Sequence, residues 1–302
     1  MSAALIAVVL ALVLDHAAPP LVQLRQYGWF ERWLGWLAVR SDSRWFASRY
    51  GIALTLGPLL VLVGALQWAL ALHFFGLPGF VFSLAVLFYC WGPRDLDVDV
   101  SAIVDAEDAE QRRIAIQRLA GEGAPLPQDQ PALVEAVFEG ALARWFGVLL
   151  WFLVLGPFGA VLYRFARRGS QPAATAHLPA EHADAYRRLA LILDWPVAQL
   201  VVLALALAGN FDAVFGAWRD WHAARRAHGF DFDHGFLGAA ACAGVNCDLA
   251  DAREDDDLEG IEPPTPDWPA LGAVTDAMSL VWRVLLVWLA VLALFVLAGF
   301  VD

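Results

Sequence analysis

Residues 51–75 read GIALTLGPLLVLVGALQWALALHFF, a run without Asp, Glu, Lys or Arg in which His73 is the one titratable side chain. An apolar run of about 18 residues or more is long enough to cross the hydrocarbon core of a bilayer as a helix. The whole chain agrees with that reading: of its 302 residues, 60% are hydrophobic and 17% charged. Soluble domains average about 45–50% apolar and about 25% charged. The surplus calls for a second apolar solvent, and the length suits one membrane bundle with sizeable loops.

Working outward, residues 77–91 follow after Gly76 and end in Cys90–Trp91–Gly92–Pro93, which predicts a tight transmembrane hairpin with 51–75. Val284 to Val301 reads as a C-terminal span that starts after Trp282 and Arg283. Ala3 to Leu14 reads as a retained membrane helix ending at Asp15, since no basic segment of a cleavable signal precedes it. Two further apolar stretches carry proline: residues 146–163 around Gly156–Pro157, and residues 189–209 around Asp194–Trp195–Pro196. Proline removes a helix donor and clashes with the preceding turn, so both are expected to bend or break. The expectation is an all-α, polytopic membrane protein with four full spans and two Pro-broken membrane-associated helices.

Arginine-rich short loops belong in the cytoplasm. Arg25, Arg32, Arg40, Arg44 and Arg49 precede the first long run; further clusters lie at Arg94–Arg144 and Arg164–Arg188. If the two Pro-bearing stretches do not cross fully, residues 94–280 are cytoplasmic and both ends periplasmic; six full spans are the alternative. The chain then divides into a membrane region 1–93, a cytoplasmic helical loop 94–145, a broken-helix hairpin 146–209, a helix with an acidic linker 210–280, and a final span 281–302. In the first region, Trp29, Phe30, Trp33, Leu34 and Leu37 form an apolar stripe between arginines, as in a helix lying at the interface or one facing a core. Residues 101–120 read as one amphipathic helix ended by Gly121, residues 132–145 as a helix feeding directly into the next apolar stretch, and residues 211–228 as an amphipathic helix.

Composition excludes several functions. All 20 basic residues are Arg, so a Walker A lysine, a Schiff base and a pyridoxal phosphate anchor are absent. The net charge of −12 opposes nucleic-acid binding. It is local: Asp95 to Glu110 holds seven acids and no base, and residues 248–267 hold nine acids and one Arg. The rest of the chain sets 19 Arg against 16 acids. The segment from His222 to Cys247 offers His228, Asp231, Asp233, His234 and Cys242 as well, but at no zinc-site spacing. No nucleophile elbow or dinucleotide fingerprint occurs, and no cofactor or metal is expected.

Ionisable residues inside or beside apolar runs are the remaining functional candidates. Asp15 and His16 end the first membrane helix, Tyr163 and Arg164 follow the Gly156–Pro157 break, and Asp194 precedes Pro196. Were the two stretches to pack as a hairpin, Arg164 and Asp194 could meet as a buried pair or face a shared cavity; the plain alternative is a structural ion pair.

Residues 146–167 (FGVLLWFLVLGPFGAVLYRFAR) and 187–218 (RRLALILDWPVAQLVVLALALAGNFDAVFGAW) resemble the AmpE family, inner-membrane proteins associated with β-lactamase induction. More distantly they are similar to the CobD/CbiB membrane synthases of cobalamin biosynthesis, which share a G-P-x-G-A-x-x-Y-R block. Gly156, Pro157, Gly159, Tyr163 and Arg164 fall on that block, Asp194 and Pro196 on a second, and Asp15 on the acid ending the first helix. The synthases carry an Asn-Thr-Leu-Asp run where this chain continues Phe165–Ala166–Arg167–Arg168, and an Arg where Gln199 stands. The resemblance implies a multi-pass bacterial inner-membrane protein that regulates the cell-wall and β-lactam response. It would act with other proteins of the induction pathway and bind a cell-wall-derived small ligand through Asp15, His16, Gly156, Pro157, Tyr163, Arg164 and Asp194. A CobD/CbiB-like amide synthase and a transporter of a cell-wall fragment are the alternatives.

Overall fold

The computed structural model describes residues 6–8, 10–11, 25–41, 44–71, 76–92, 95–121, 125–127, 129–225, 232–245 and 271–298. Among these every regular element is helical and there is no strand. Four helical runs are long and apolar enough to cross a membrane, at 51–70, 130–155, 180–208 and 271–297, so the chain is an all-α polytopic membrane protein. The first and last answer to spans read from the sequence. The expected helix Ala3–Leu14 lies mostly outside the described residues.

The chain divides into two compact units, residues 1–94, 143–194 and 291–302 in the first and residues 95–142 and 195–290 in the second. In the first, α1 (Gly28–Arg40) is followed by α2 (Gly51–Ala71) and α3 (Leu77–Cys90). Helix α3 has 14 residues, or about 21 Å at ~1.5 Å per residue, which falls short of the ~30 Å hydrocarbon core. The hairpin partner of α2 is therefore a shorter helix than a full crossing needs. Its N-cap is Gly76, whose φ of 77° suits glycine, and Pro78 sits in the first turn where its missing N–H costs nothing.

The second unit begins with α4 (Leu96–Val104) and α5 (Ala109–Ala120). The single helix expected over 101–120 is two, because Asp108 caps the second: its carboxylate accepts from the Gln111 N–H at 2.7 Å. Gly121, at φ 96°, ends α5 as expected. Helix α6 (Gln130–Ala141) is capped by Asp129, which accepts from the Ala132 N–H. It runs through a π-helical turn, Leu142–Phe146, into α7 (Gly147–Leu155) of the first unit.

Pro58, Pro157 and Pro196 lie well inside apolar runs, and they behave differently. Pro58 lies inside α2 and Pro196 inside α9 (Ala180–Ala208); both helices continue through them. The expected break at Pro196 is thus corrected to an unbroken helix of 29 residues. Pro157 alone marks an interruption, between α7 and α8 (Pro157–Gly169), and the residue that makes it is Gly156. Gly156 adopts φ 67°, ψ −152°, a region open essentially to glycine only. Pro157 then occupies the first turn of α8, where its missing N–H costs nothing. Proline in an apolar helix is tolerated where neighbours absorb the lost bond; a glycine beyond the helical basin is what ends the helix.

In the first unit α8 packs against α2, α3 and α7, and α2 against α3. Phe30 and Leu34 of α1 are fully buried, and the Phe30 ring meets that of Phe165 at 4.8 Å between centroids. Helix α1 therefore has a core-facing side. In the second unit α10 (Phe211–Arg225) packs on α11 (Phe236–Val245), α11 on α6, and α4 and α5 on each other and on α6. Val214 is the buried residue of α10, while Phe211 and Phe215 stack on its surface at 5.6 Å. Helix α12 (Leu271–Leu297) is the last of the described helices.

Because the Gly156 conformation excludes a Cβ, Gly156→Val should cost about 1–2 kcal/mol of backbone strain. An added Cβ would also meet Gln67 Nε2 at 2.9 Å. Chemical unfolding of the purified protein in detergent measures the loss, which Gly57→Val, at a position with open space around it, should not share.

Candidate functional site

The interruption at Gly156 leaves backbone groups without helical partners in an apolar setting, and Gln67 of α2 takes them up. Its Oε1 accepts from the Phe158 N–H at 3.0 Å, and its Nε2 donates to the Leu155 carbonyl at 3.4 Å. One side-chain amide therefore serves both sides of the break. Gln67 is a residue sequence reasoning missed. The signal was present as a lone amide inside 51–75, but its use depends on α8 lying against α2.

Beyond the break, α8 presents Tyr163 and Arg167, four residues apart and hence on one face. Both reach Asp194 of α9, whose side chain is fully buried. The Tyr163 hydroxyl donates to Oδ1 at 2.7 Å, and Arg167 Nη1 donates to Oδ2 at 2.6 Å. The Tyr163 ring lies directly over Gly147, where any Cβ would collide with it. Trp151 of α7 adds a bond from its indole Nε1 to the Leu193 carbonyl at 3.1 Å. Helices α7, α8 and α9 are thus tied around the break by polar groups at successive levels.

Arg164 does not meet Asp194. One residue along a helix is a rotation of about 100°, so Arg164 points away from the face that carries Tyr163 and Arg167. It is buried, donating from Nε to the Cys90 carbonyl at 2.6 Å and from Nη2 to the Arg144 carbonyl at 3.3 Å. The first acceptor is the last residue of α3, where a cation favourably meets the negative helix end. The guanidinium also lies 6.0 Å from the Tyr27 ring centroid. Burial pushes the Tyr27 phenol above its ordinary value, so it remains a neutral donor to the Tyr89 carbonyl at 2.5 Å. The expected Arg164–Asp194 pair is therefore an Arg167–Asp194 pair, with Arg164 tying α8 to α3.

Gly156, Pro157, Tyr163, Arg164 and Asp194 thus all lie in the first unit, Gly156 and Pro157 at the break and the other three in α8 and α9 beyond it. Asp15 and His16 lie outside the described residues, as do His228, Asp231 and Cys247. His222 bonds the Trp218 carbonyl one turn back at 2.9 Å, and His234 Nε2 lies 2.7 Å from Glu139. Asp233 pairs with Arg225. Among the described residues no three His, Cys, Asp or Glu side chains converge as a metal site would need. Gln199, at the position where the synthases carry arginine, accepts from Trp218 Nε1 at 2.9 Å.

A second buried polar cluster joins α2 to the start of α9. The hydroxyls of Thr55 and Tyr186 are 2.6 Å apart, and His182 Nε2 lies 3.3 Å from the same Thr55 oxygen. Gly51 and Gly169 give His182 and Tyr186 the room to lie there, since a Cβ at either would strike the ring beside it. Comparison of the chain with protein-family models, curated proteins and solved structures finds no match.

Chemically, the Asp194 carboxylate has one strong donor on each oxygen, an arrangement that holds a charge in place rather than leaving it free as a base. A ligand would reach it by displacing Arg167, whose side chain keeps 24% of its surface exposed while that of Asp194 has none. Removing one partner of a buried ion pair strands the other, at a cost of about 3–5 kcal/mol. Arg167→Ala should therefore destabilise the protein by about 3 kcal/mol, the low end, because the guanidinium is part-solvated. Arg187→Ala, which breaks an exposed pair with Asp184, should cost under ~1 kcal/mol. Unfolding of the two variants side by side in detergent distinguishes them.

Proposed function

We propose that this protein is a regulatory factor of the bacterial inner membrane, acting in the cell-wall and β-lactam response as the resemblance to the AmpE family implies. The observation that carries the reading is the Asp194 cluster beyond the Gly156–Pro157 break. Tyr163 and Asp194, which fall on the two resembling blocks, bond directly to each other there. The cluster is a buried, charge-balanced tie with one part-exposed member. Such a tie has two states, closed with Arg167 on Asp194 and open with Arg167 drawn away, and a bistable element of this kind is what a ligand can bias.

A small anionic cell-wall fragment would compete with Asp194 for Arg167 at its exposed edge. Opening would free Tyr163 and the α8 face from α9, and other proteins of the induction pathway would read that change. The engagement of Gln199 with Trp218, together with the missing Asn-Thr-Leu-Asp run, favours this regulatory reading over amide synthesis.

The test is made in the native bacterium by measuring β-lactamase activity after β-lactam challenge. Deletion of the gene should alter induction, and the wild-type gene should restore it. Arg167→Lys, which keeps the charge, should restore most of the response, and Arg167→Gln should not, at equal membrane abundance. Unchanged induction after deletion would remove the regulatory reading altogether.

A further inference from the structure

The segment that leads into the first long span carries an outward face that the core does not use. Phe30 and Leu34 of α1 and Phe46 of the following helical turn, Arg44–Ala47, are buried and anchor the segment. On its other side Trp36 is 48% exposed, Val39 88%, Trp45 69% and Tyr50 53%. Three arginines stand among these side chains. The Arg40 guanidinium lies 4.4 Å from the centroid of the Trp36 ring, and that of Arg49 lies 5.1 Å from the Tyr50 ring. Arg44 opens onto a groove of about 440 Å³ whose walls include Ser41, Ala47, His177 and Pro179.

Charge in this region is unbalanced toward the cationic. Residues 28–50 hold Arg32, Arg40, Arg44 and Arg49 against Glu31 and Asp42, and Glu31 is taken by Arg168 at 2.8 Å. None of Arg40, Arg44 and Arg49 has an ion-pair partner among the described residues. Tyr50 is followed immediately by Gly51, the first residue of a membrane-spanning helix. A crossing that begins at Gly51 places the patch at the boundary between headgroups and water. Trp and Tyr collect at that level because they are apolar in body and polar at one edge. Arginine forks bind phosphate oxygens in pairs.

We propose that Arg40, Arg44 and Arg49, with the exposed Trp36, Trp45 and Tyr50, form a binding site for the phosphate headgroup of an anionic phospholipid. Arg44 contacts the phosphate in the groove, Arg40 and Arg49 flank it from their aromatic supports, and the exposed rings lie along the upper acyl chain. The buried Phe30, Leu34 and Phe46 hold this surface in place, so little ordering is needed when lipid binds. The site is separate from the Asp194 cluster and does not rest on the regulatory reading, since lipid preference is read on purified protein and induction in cells.

In the test, full-length protein in a mild detergent is titrated with phosphatidylglycerol and, separately, with phosphatidylcholine, and bound lipid is counted by native mass spectrometry. Each arginine near an anionic headgroup contributes about fivefold in affinity. The triple variant Arg40→Gln, Arg44→Gln, Arg49→Gln should therefore lose the phosphatidylglycerol preference by about a hundredfold. Arg113→Gln, on the exposed face of α5, should keep it. In about 1 M salt, where the screening length falls to ~3 Å, the wild-type preference should largely vanish. The three side chains are exposed, and an unchanged elution volume shows that the variant is folded. Equal binding of the two lipids by the wild type, or a triple variant that retains the preference, would overturn the site. Displacement of phosphatidylglycerol by inorganic phosphate at comparable affinity would assign it instead to free phosphate.

Discussion

A helix interrupted at membrane depth exposes peptide groups that hydrocarbon cannot satisfy, and each such group left alone costs several kcal/mol. The Gly156–Pro157 interruption meets this constraint with Gln67, whose amide bonds one peptide group on each side of the break, while α8 packs against α2 and α7. Once α8 is set at its own angle, its Tyr163–Arg167 face meets Asp194 and its Arg164 face meets the end of α3. The small residues follow from the same geometry. Gly147 lies under the Tyr163 ring, and Gly159 lets α8 start beside the Trp151 carbonyl of α7. A side chain at either would push α8 off its partners.

The charges of the first unit are handled in two ways. Asp194 is inside, where an unpaired carboxylate would be costly, and it is matched by a hydroxyl and a guanidinium. Arg40 and Arg49 are outside, where water can meet them, and they lean on the rings of Trp36 and Tyr50. A chain whose cations are all arginine suits both settings. The guanidinium is more weakly hydrated than an ammonium, stacks on aromatic faces and donates in pairs. Lysine at position 167 would keep the charge but lose the planar fork.

Much of the architecture was legible in the chain. The helical class followed from apolar run length and composition, and two of the four long apolar helices were read directly from 51–75 and 284–301. The N-cap that splits 101–120 was missed because Asp108 sits in a run of acids where no single one stands out. The break at 156 was legible and the continuity at 196 was not. Proline is the visible signal in both places, but what separates them is the backbone basin of the preceding residues, which depends on whether packing demands a change of direction.

The site shows the same division. That Asp194 could meet an arginine following the Gly156–Pro157 break was drawn from ionisable groups in apolar surroundings; the Tyr163–Asp194 bond was not. Which arginine meets Asp194 is a matter of about 100° of helix rotation relative to α9, and only the packed structure decides it. Gln67 was visible as a letter, yet its role exists only because α2 and α8 touch. The sequence by itself determined that this is an α-helical membrane protein with arginine-rich margins and acidic segments, because hydrophobic length and charge are local properties of the chain. Only the tertiary structure decided which polar groups meet inside it, because those meetings depend on helix rotation and close approach between segments far apart in sequence.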